Sequence, residues 1–243
     1  FYLVRELTIS NGINDLKKYL INIWLVLVAL VGVNSAAAEV DKTDPYAMIE
    51  EVAQITFDRF AREEAEIKKN PELLKDIVRE ELMPHIFYQY AALKVLGNHR
   101  KSANKEELKA FIIAFKEYLI TSYAQVFTLY EKQKVEFEPA RKLTNEKIIM
   151  VGVEIIDENR PPISIKFKVR KNSKTEEWQA FDLVAEGISL LDAKQKELRS
   201  ILASNGVPKV TEMLAEKSAK KIVFKEDDDI DKKLQEQEAQ ASK

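Results

Sequence analysis

The hydrophobic period of this chain changes from helical to alternating near Tyr130 and back to helical after Gly187, and that order limits the folds open to it. Asp44 followed by Pro45 makes a helix start, and Met48, Val52, Ile55 and Phe60 continue at helical spacing to about Lys69. Asn70 and Pro71 repeat the device and open a short helix carrying Leu73, Leu74, Ile77 and Val78, which Pro84 ends. A third helix, about His85 to Leu96, carries Phe87, Ala91, Leu93 and Val95, with Gly97 at its C-terminal cap. Asn104 and Glu107 form a capping box for the longest helix, whose Leu108, Phe111, Ile112, Phe115, Leu119, Ser122 and Val126 share one face.

Beyond Tyr130, "KIIMVGVEII" puts Ile149, Val151, Val153 and Ile155 on one side of a strand. In "ISIKFKV" the division is cleaner: Ile163, Ile165, Phe167 and Val169 face a core, while Ser164, Lys166, Lys168 and Arg170 face water, the pattern of a one-sided antiparallel strand. "DENRPP" and "KNSKTEE" are turns, Trp178 to Val184 is the next strand, and a weaker strand near Val135 to Phe137 makes a sheet of about four. After Gly187, Ser189 caps a helix with Leu190, Leu191, Leu198, Ile201 and Leu202 on one face, ending at Asn205 and Gly206; a last helix runs from Pro208 to Lys217. Helices first, strands next and helices last predict an α+β fold rather than alternating βαβ units. With no repeat and no Gly, Pro or Ser-rich linker, 39–225 is expected to form one integrated domain.

The two ends follow other rules. Lys17 and Lys18 precede an apolar run from Tyr19 to Val33, and "NSAAAEV" places small residues at Ala36 and Ala38, the order of a secretory signal with cleavage after Ala38. The run is about 15 residues, or roughly 22 Å as a helix, short of the ~30 Å hydrocarbon core of a membrane. Residues 1–38 are therefore expected to be upstream residues plus a cleavable signal peptide, and the mature chain to act in the periplasm. The charged, glutamine-rich stretch 226–243 is expected to be a disordered tail.

Composition excludes several chemistries. A formal net charge of -2 and no basic stripe argue against a nucleic-acid partner. The chain has no cysteine, and His85 and His99 have no third ligand at metal spacing, so no metal site is expected. "DDDID" lacks the central glycine and closing glutamate of a calcium loop. No G-x-S-x-G, P-loop or G-x-G-x-x-G occurs, and no cofactor is expected. Asp182 in "WQAFD" is the leading candidate general base, as in small α+β enzymes, with Glu186 before the glycine turn a second carboxylate of that kind. Two sets of large apolar side chains remain, one on the long helix and one on the strands. They either fill each other as the core of a ligand-free scaffold or line a cavity; periodicity does not separate these outcomes.

Two longer stretches carry a resemblance. "YAALKVLGNHRKSANKEELKAFIIAFKEYLITSYAQVFTLY" pairs a leucine-glycine step with a phenylalanine-rich helix, and "RKNSKTEEWQAFDLVAEGISLLDAKQKELRSILASNG" holds tryptophan, aspartate and an E-G-x-S turn in order. Together they resemble the signature regions of the MlaC family of periplasmic phospholipid-binding proteins, over about Pro45 to Ile222. The chain departs from the family where many members carry an aspartate-phenylalanine pair, here Ile86 and Phe87, and an asparagine-tyrosine-arginine run, here "DAKQK". The resemblance implies a curved antiparallel sheet of the NTF2-like type merged with a helical subdomain, with acyl chains in an apolar cavity between them. It also implies a monomeric, non-enzymatic carrier that moves phospholipid between an outer-membrane lipoprotein and porin complex and an inner-membrane ABC transporter with an MCE-domain subunit, maintaining outer-membrane lipid asymmetry. On this basis the residues expected to line the cavity are Leu96, Phe111, Phe115, Leu119, Tyr123, Val151, Val153, Ile165, Phe167, Trp178, Phe181, Val184, Ile188 and Leu190, with Ile188 on the pocket side of the turn.

Overall fold

The Asp44 carboxylate closes the start of helix α1 (Pro45–Lys69) by accepting from the Tyr46 and Ala47 amides at 2.8 and 3.3 Å. These are donors that a helix start otherwise leaves free. The structure, a computed structural model, describes residues 40–130, 132–157 and 160–224. The expected signal peptide and charged tail lie outside the described residues. The buried side of α1 is Met48, Ile49, Val52, Thr56, Phe60 and Ile67; Ile55, expected on that face, is 36% exposed.

Helix α2 (Leu73–Ile77) runs into one wide turn over Val78–Leu82, in which the Met83 amide reaches back to the Val78 carbonyl. Arg59 of α1 holds this turn by donating to Glu80 and Glu81, each at 2.6 Å. Helix α3 (Tyr88–Leu96) begins later than its sequence pattern suggests. The reason is that Ile86 is extended and the Phe87 amide donates to the Ala180 carbonyl at 2.7 Å, so this segment pairs with a strand instead of joining the helix.

Helix α4 (Lys105–Phe127) opens with the expected capping box: Glu107 N–H donates to Asn104 Oδ1 and Asn104 N–H to Glu107 Oε2, both at 2.9 Å. The chain then turns into an antiparallel meander of five strands: β1 (Lys134–Phe137), β2 (Ile148–Asp157), β3 (Arg160–Lys171), β4 (Trp178–Ala185) and β5 (Ile188–Ser189). The strand beyond the expected four is β5, two residues long, made by the tight turn at Glu186 and Gly187. Ser189 then caps α5 (Leu190–Ser218) by accepting from the Asp192 amide. Gly206, at φ 74°, kinks α5 and divides it into the two helices expected on either side of that residue.

Three apolar clusters hold these elements. Leu96, Phe111, Phe115, Leu198, Val210 and Leu214 unite α3, α4 and α5. Met48, Ile49 and Val52 of α1 pack on Ile149, Val151, Val169 and Trp178 of the sheet. Phe60, Ile77, Val78, Ile120 and Ile222 join α1, α2, α4 and the segment after α5. Among the described residues, no helix is long and apolar enough to cross a membrane.

Candidate functional site

Between α1, the end of α4 and one face of the sheet lies a cavity of about 230 Å³. Helix α1 contributes Met48, Ile49, Val52, Ala53, Thr56 and Phe57, and the segment before α3 contributes Leu82, His85 and Ile86. The last turns of α4 add Tyr123, Val126 and Phe127; the strands add Val135, Phe137, Val153, Ile155, Ile165, Phe167 and residues 180–183. Val126 is 60% exposed while lining the cavity, so the cavity opens to solvent at that end of α4. The neighbouring Leu129 and, on β3, Ile163 are exposed as well.

The wall offers almost no polar group. The Thr56 hydroxyl donates back to the Val52 carbonyl at 2.7 Å, which satisfies it within α1. His85 keeps its Nδ1 buried and, among the described residues, without a partner. Burial, together with the nearby Lys42 charge, lowers the His85 pKa from 6.5 to about 4. An unfolded chain therefore takes up a proton below pH 6.5 that the folded chain refuses until about pH 4, and stability falls as pH drops through that window. The unfolding midpoint in urea is expected to decline between pH 7 and pH 4.5, and His85→Phe to remove most of that decline. Glu64, lowered to about 2 by hydrogen bonds from Lys68 and Lys132, and Glu146, lowered to about 2 chiefly by Arg141, weaken the fold only below about pH 4.5.

The E-G-x-S turn beside the cavity is built for position. Glu186 and Gly187 both have positive φ, 49° and 79°, as the two-residue turn that matches strand twist requires. The Glu186 carboxylate also accepts from the Ser164 amide at 2.8 Å, pinning the turn to β3. Asp182 receives three donors: Lys168 Nζ and Ser189 Oγ at 2.7 Å each, and the Leu191 amide at 3.0 Å. Its side chain is 1% exposed. The carboxylate thus ties β3, β4, β5 and the start of α5 together. A bulge at Phe181, where the register shifts between Lys168 and Val169, lets Phe181 and Asp182 both be buried although they are consecutive in a strand.

Of the residues expected to line a cavity, Tyr123, Val153, Ile165, Phe167 and Phe181 are in its wall. The other nine are placed elsewhere. Leu96, Phe111 and Phe115 form the helical core, and Leu119 packs on that cluster and its neighbour. The expectation for Phe111, Phe115 and Leu119 took α4 as one surface, but only its last turns line the cavity. Val151 and Trp178 lie in the closed core between α1 and the sheet. Val184 pairs with Lys166 outside the wall, while Ile188, 62% exposed, and Leu190 sit at the edge where β5 is too short to carry the wall onward. Sequence reasoning missed the whole of the α1 contribution, although the small Ala53 between Val52 and Phe57 is the kind of residue that leaves room beside a helix.

Comparison with known proteins decides the family. The family model described as "MlaC protein" matches residues 50–216, more than half of the chain. This chain belongs to the MlaC family. The intermembrane phospholipid transport system binding protein MlaC of Haemophilus influenzae is 33% identical over 211 residues, covering 86% of this chain and 97% of that protein. A solved structure of a phospholipid-binding protein from Ralstonia solanacearum, in complex with a phospholipid, has the same fold with a TM-score of 0.64 at 18% identity, over 72% of this chain and 97% of that one. The MlaC match runs from within α1 to within α5, so it includes every residue that lines the cavity except Met48 and Ile49.

Proposed function

We propose that this protein carries a phospholipid between two membranes, with acyl chain in the cavity and headgroup at the open end near Val126. The observation that carries this reading is the wall: apolar side chains from α1, α4 and the sheet, continuous from a closed core to a solvent-exposed mouth. Each buried methylene contributes about 0.8 kcal/mol, so two chains of about 16 carbons represent on the order of 25 kcal/mol that a carrier must nearly match. An apolar wall contributes part of that energy without reading the headgroup. The names of the Haemophilus and Ralstonia relatives, a phospholipid transport component and a phospholipid-binding protein, support the same cargo.

Family membership supports the finer parts of this reading. The carrier works in the periplasm after loss of its signal peptide, and exchanges lipid with an outer-membrane lipoprotein and porin complex and with an inner-membrane ABC transporter bearing an MCE-domain subunit. It thereby maintains outer-membrane lipid asymmetry. Val153, Ile165, Phe167, Phe181 and Tyr123 contact the chain, together with the α1 residues that face them. An enzymatic role for Asp182 is disfavoured by its three donors, which occupy both carboxylate oxygens. Native mass spectrometry of protein purified without detergent is expected to show a mass excess equal to a diacyl phospholipid. A bare polypeptide mass, unchanged after incubation with vesicles, would return the cavity to an ordinary packing defect.

A further inference from the structure

Tyr123 is one of the few polar side chains in a mostly apolar wall that also holds Thr56, His85 and Asp182. It lies on α4 within the cavity lining, and among the described residues its hydroxyl has no hydrogen-bond partner. Among the described residues, two buried side-chain polar atoms, Tyr46 Oη and His85 Nδ1, are also unpartnered, and both are sealed from solvent; Tyr123 Oη is not among the sealed atoms. A phenol left without a partner at the wall of an apolar cavity costs free energy unless a ligand supplies an acceptor. Its position along α4 says which acceptor. Tyr123 stands three residues before Val126, the exposed residue at the mouth, about 4.5 Å from it along the helix axis at ~1.5 Å per residue, and is the less exposed of the two. In a lipid whose headgroup remains at the mouth, the first acceptors met at that depth are the ester carbonyls that join chain to glycerol. Below them the chain has none.

We infer that the Tyr123 hydroxyl donates a hydrogen bond to an ester carbonyl of the bound phospholipid and so fixes how far the lipid enters. This deepens the carrier reading and rests on it. Burial, with the Asp182 charge adding to it, raises the Tyr123 pKa to about 12, so the group remains a donor throughout the physiological range. The bond selects for linkage chemistry, diester over diether, and not for headgroup. It also gives the cavity a register: without it a chain can slide along an apolar wall at little cost.

The test compares delipidated protein binding a diester phosphatidylglycerol and its diether analogue with the same chains, each offered from detergent-free vesicles. The wild-type protein is expected to favour the diester by about three- to tenfold, the range of one net hydrogen bond. Tyr123→Phe, which leaves no group of this protein unpartnered, should melt as wild type does and bind both lipids alike, at the wild-type diether level. Equal binding of the two lipids by wild-type protein overturns the inference while leaving the carrier reading intact, as does a diester preference that survives in Tyr123→Phe. Binding of neither lipid overturns both. The wild-type comparison alone decides the matter if the variant fails to fold.

Discussion

Ala53→Trp is expected to give a folded protein that retains no phospholipid. Ala53 lies on α1 between Val52 and Phe57 and faces the cavity, so an indole built there enters open space of about 230 Å³ and not packed atoms. If it displaces about six methylenes of an acyl chain, the loss is roughly 5 kcal/mol, or several thousandfold in affinity. Some overpacking strain, about 1–3 kcal/mol, is offset by apolar area that the indole itself buries, so the melting temperature should change little. Phosphorus content per mole of purified protein measures the first effect and a thermal melt the second. Wild-type phosphorus content in a folded Ala53→Trp protein would place the lipid somewhere other than this cavity.

The largest effect on stability belongs to Asp182. Asp182→Ala leaves the Ser189 hydroxyl, the Leu191 amide and the Lys168 ammonium without their common acceptor. Because Lys168 is 22% exposed on its side chain and can turn toward water, the cost lies at the lower end for a broken buried pair, about 3 kcal/mol. For a domain of this size that is a fall of roughly 6–12 °C in melting temperature. Asp182→Asn keeps an oxygen for the Leu191 amide and should fall about half as far. The two variants together separate a structural carboxylate from a catalytic one, since a general base would lose activity in Asp182→Asn at nearly full stability. A wild-type melt for both variants would remove Asp182 from any part in holding α5 to the sheet.

The order of elements was legible because each signal was local. Asp44–Pro45, the Asn104 and Glu107 box, Gly206 and the alternation of "ISIKFKV" act through neighbours in sequence, and the helices and strands stand where those signals put them. The cavity is a different kind of fact, because periodicity tells which side of an element is apolar and not what lies opposite it. Phe111, Phe115 and Tyr123 stand on one helix, but α4 is long enough for its first turns to pack on α5 while its last turns line the cavity. The wide turn at Val78–Leu82 and the bulge at Phe181 shift the phase of their segments by one residue. Neither has a residue-type signature, and each moves a cavity residue, Leu82 and Phe181, into place. Ile86 reads as helix from its neighbours and is extended because β4 offers it a backbone partner.

An unfilled void has a lifetime consequence. At ~24 cal/mol per Å³, the penalty measured for cavities left in protein cores, a dry void of about 230 Å³ amounts to roughly 5 kcal/mol. Water entering at the mouth relieves part of this, but net stabilities of whole domains are only about 5–15 kcal/mol. On the carrier reading, bound phospholipid stabilises the folded state by mass action, so an unloaded molecule opens and meets proteases more often than a loaded one. Turnover of the protein would then rise whenever donors of lipid run short.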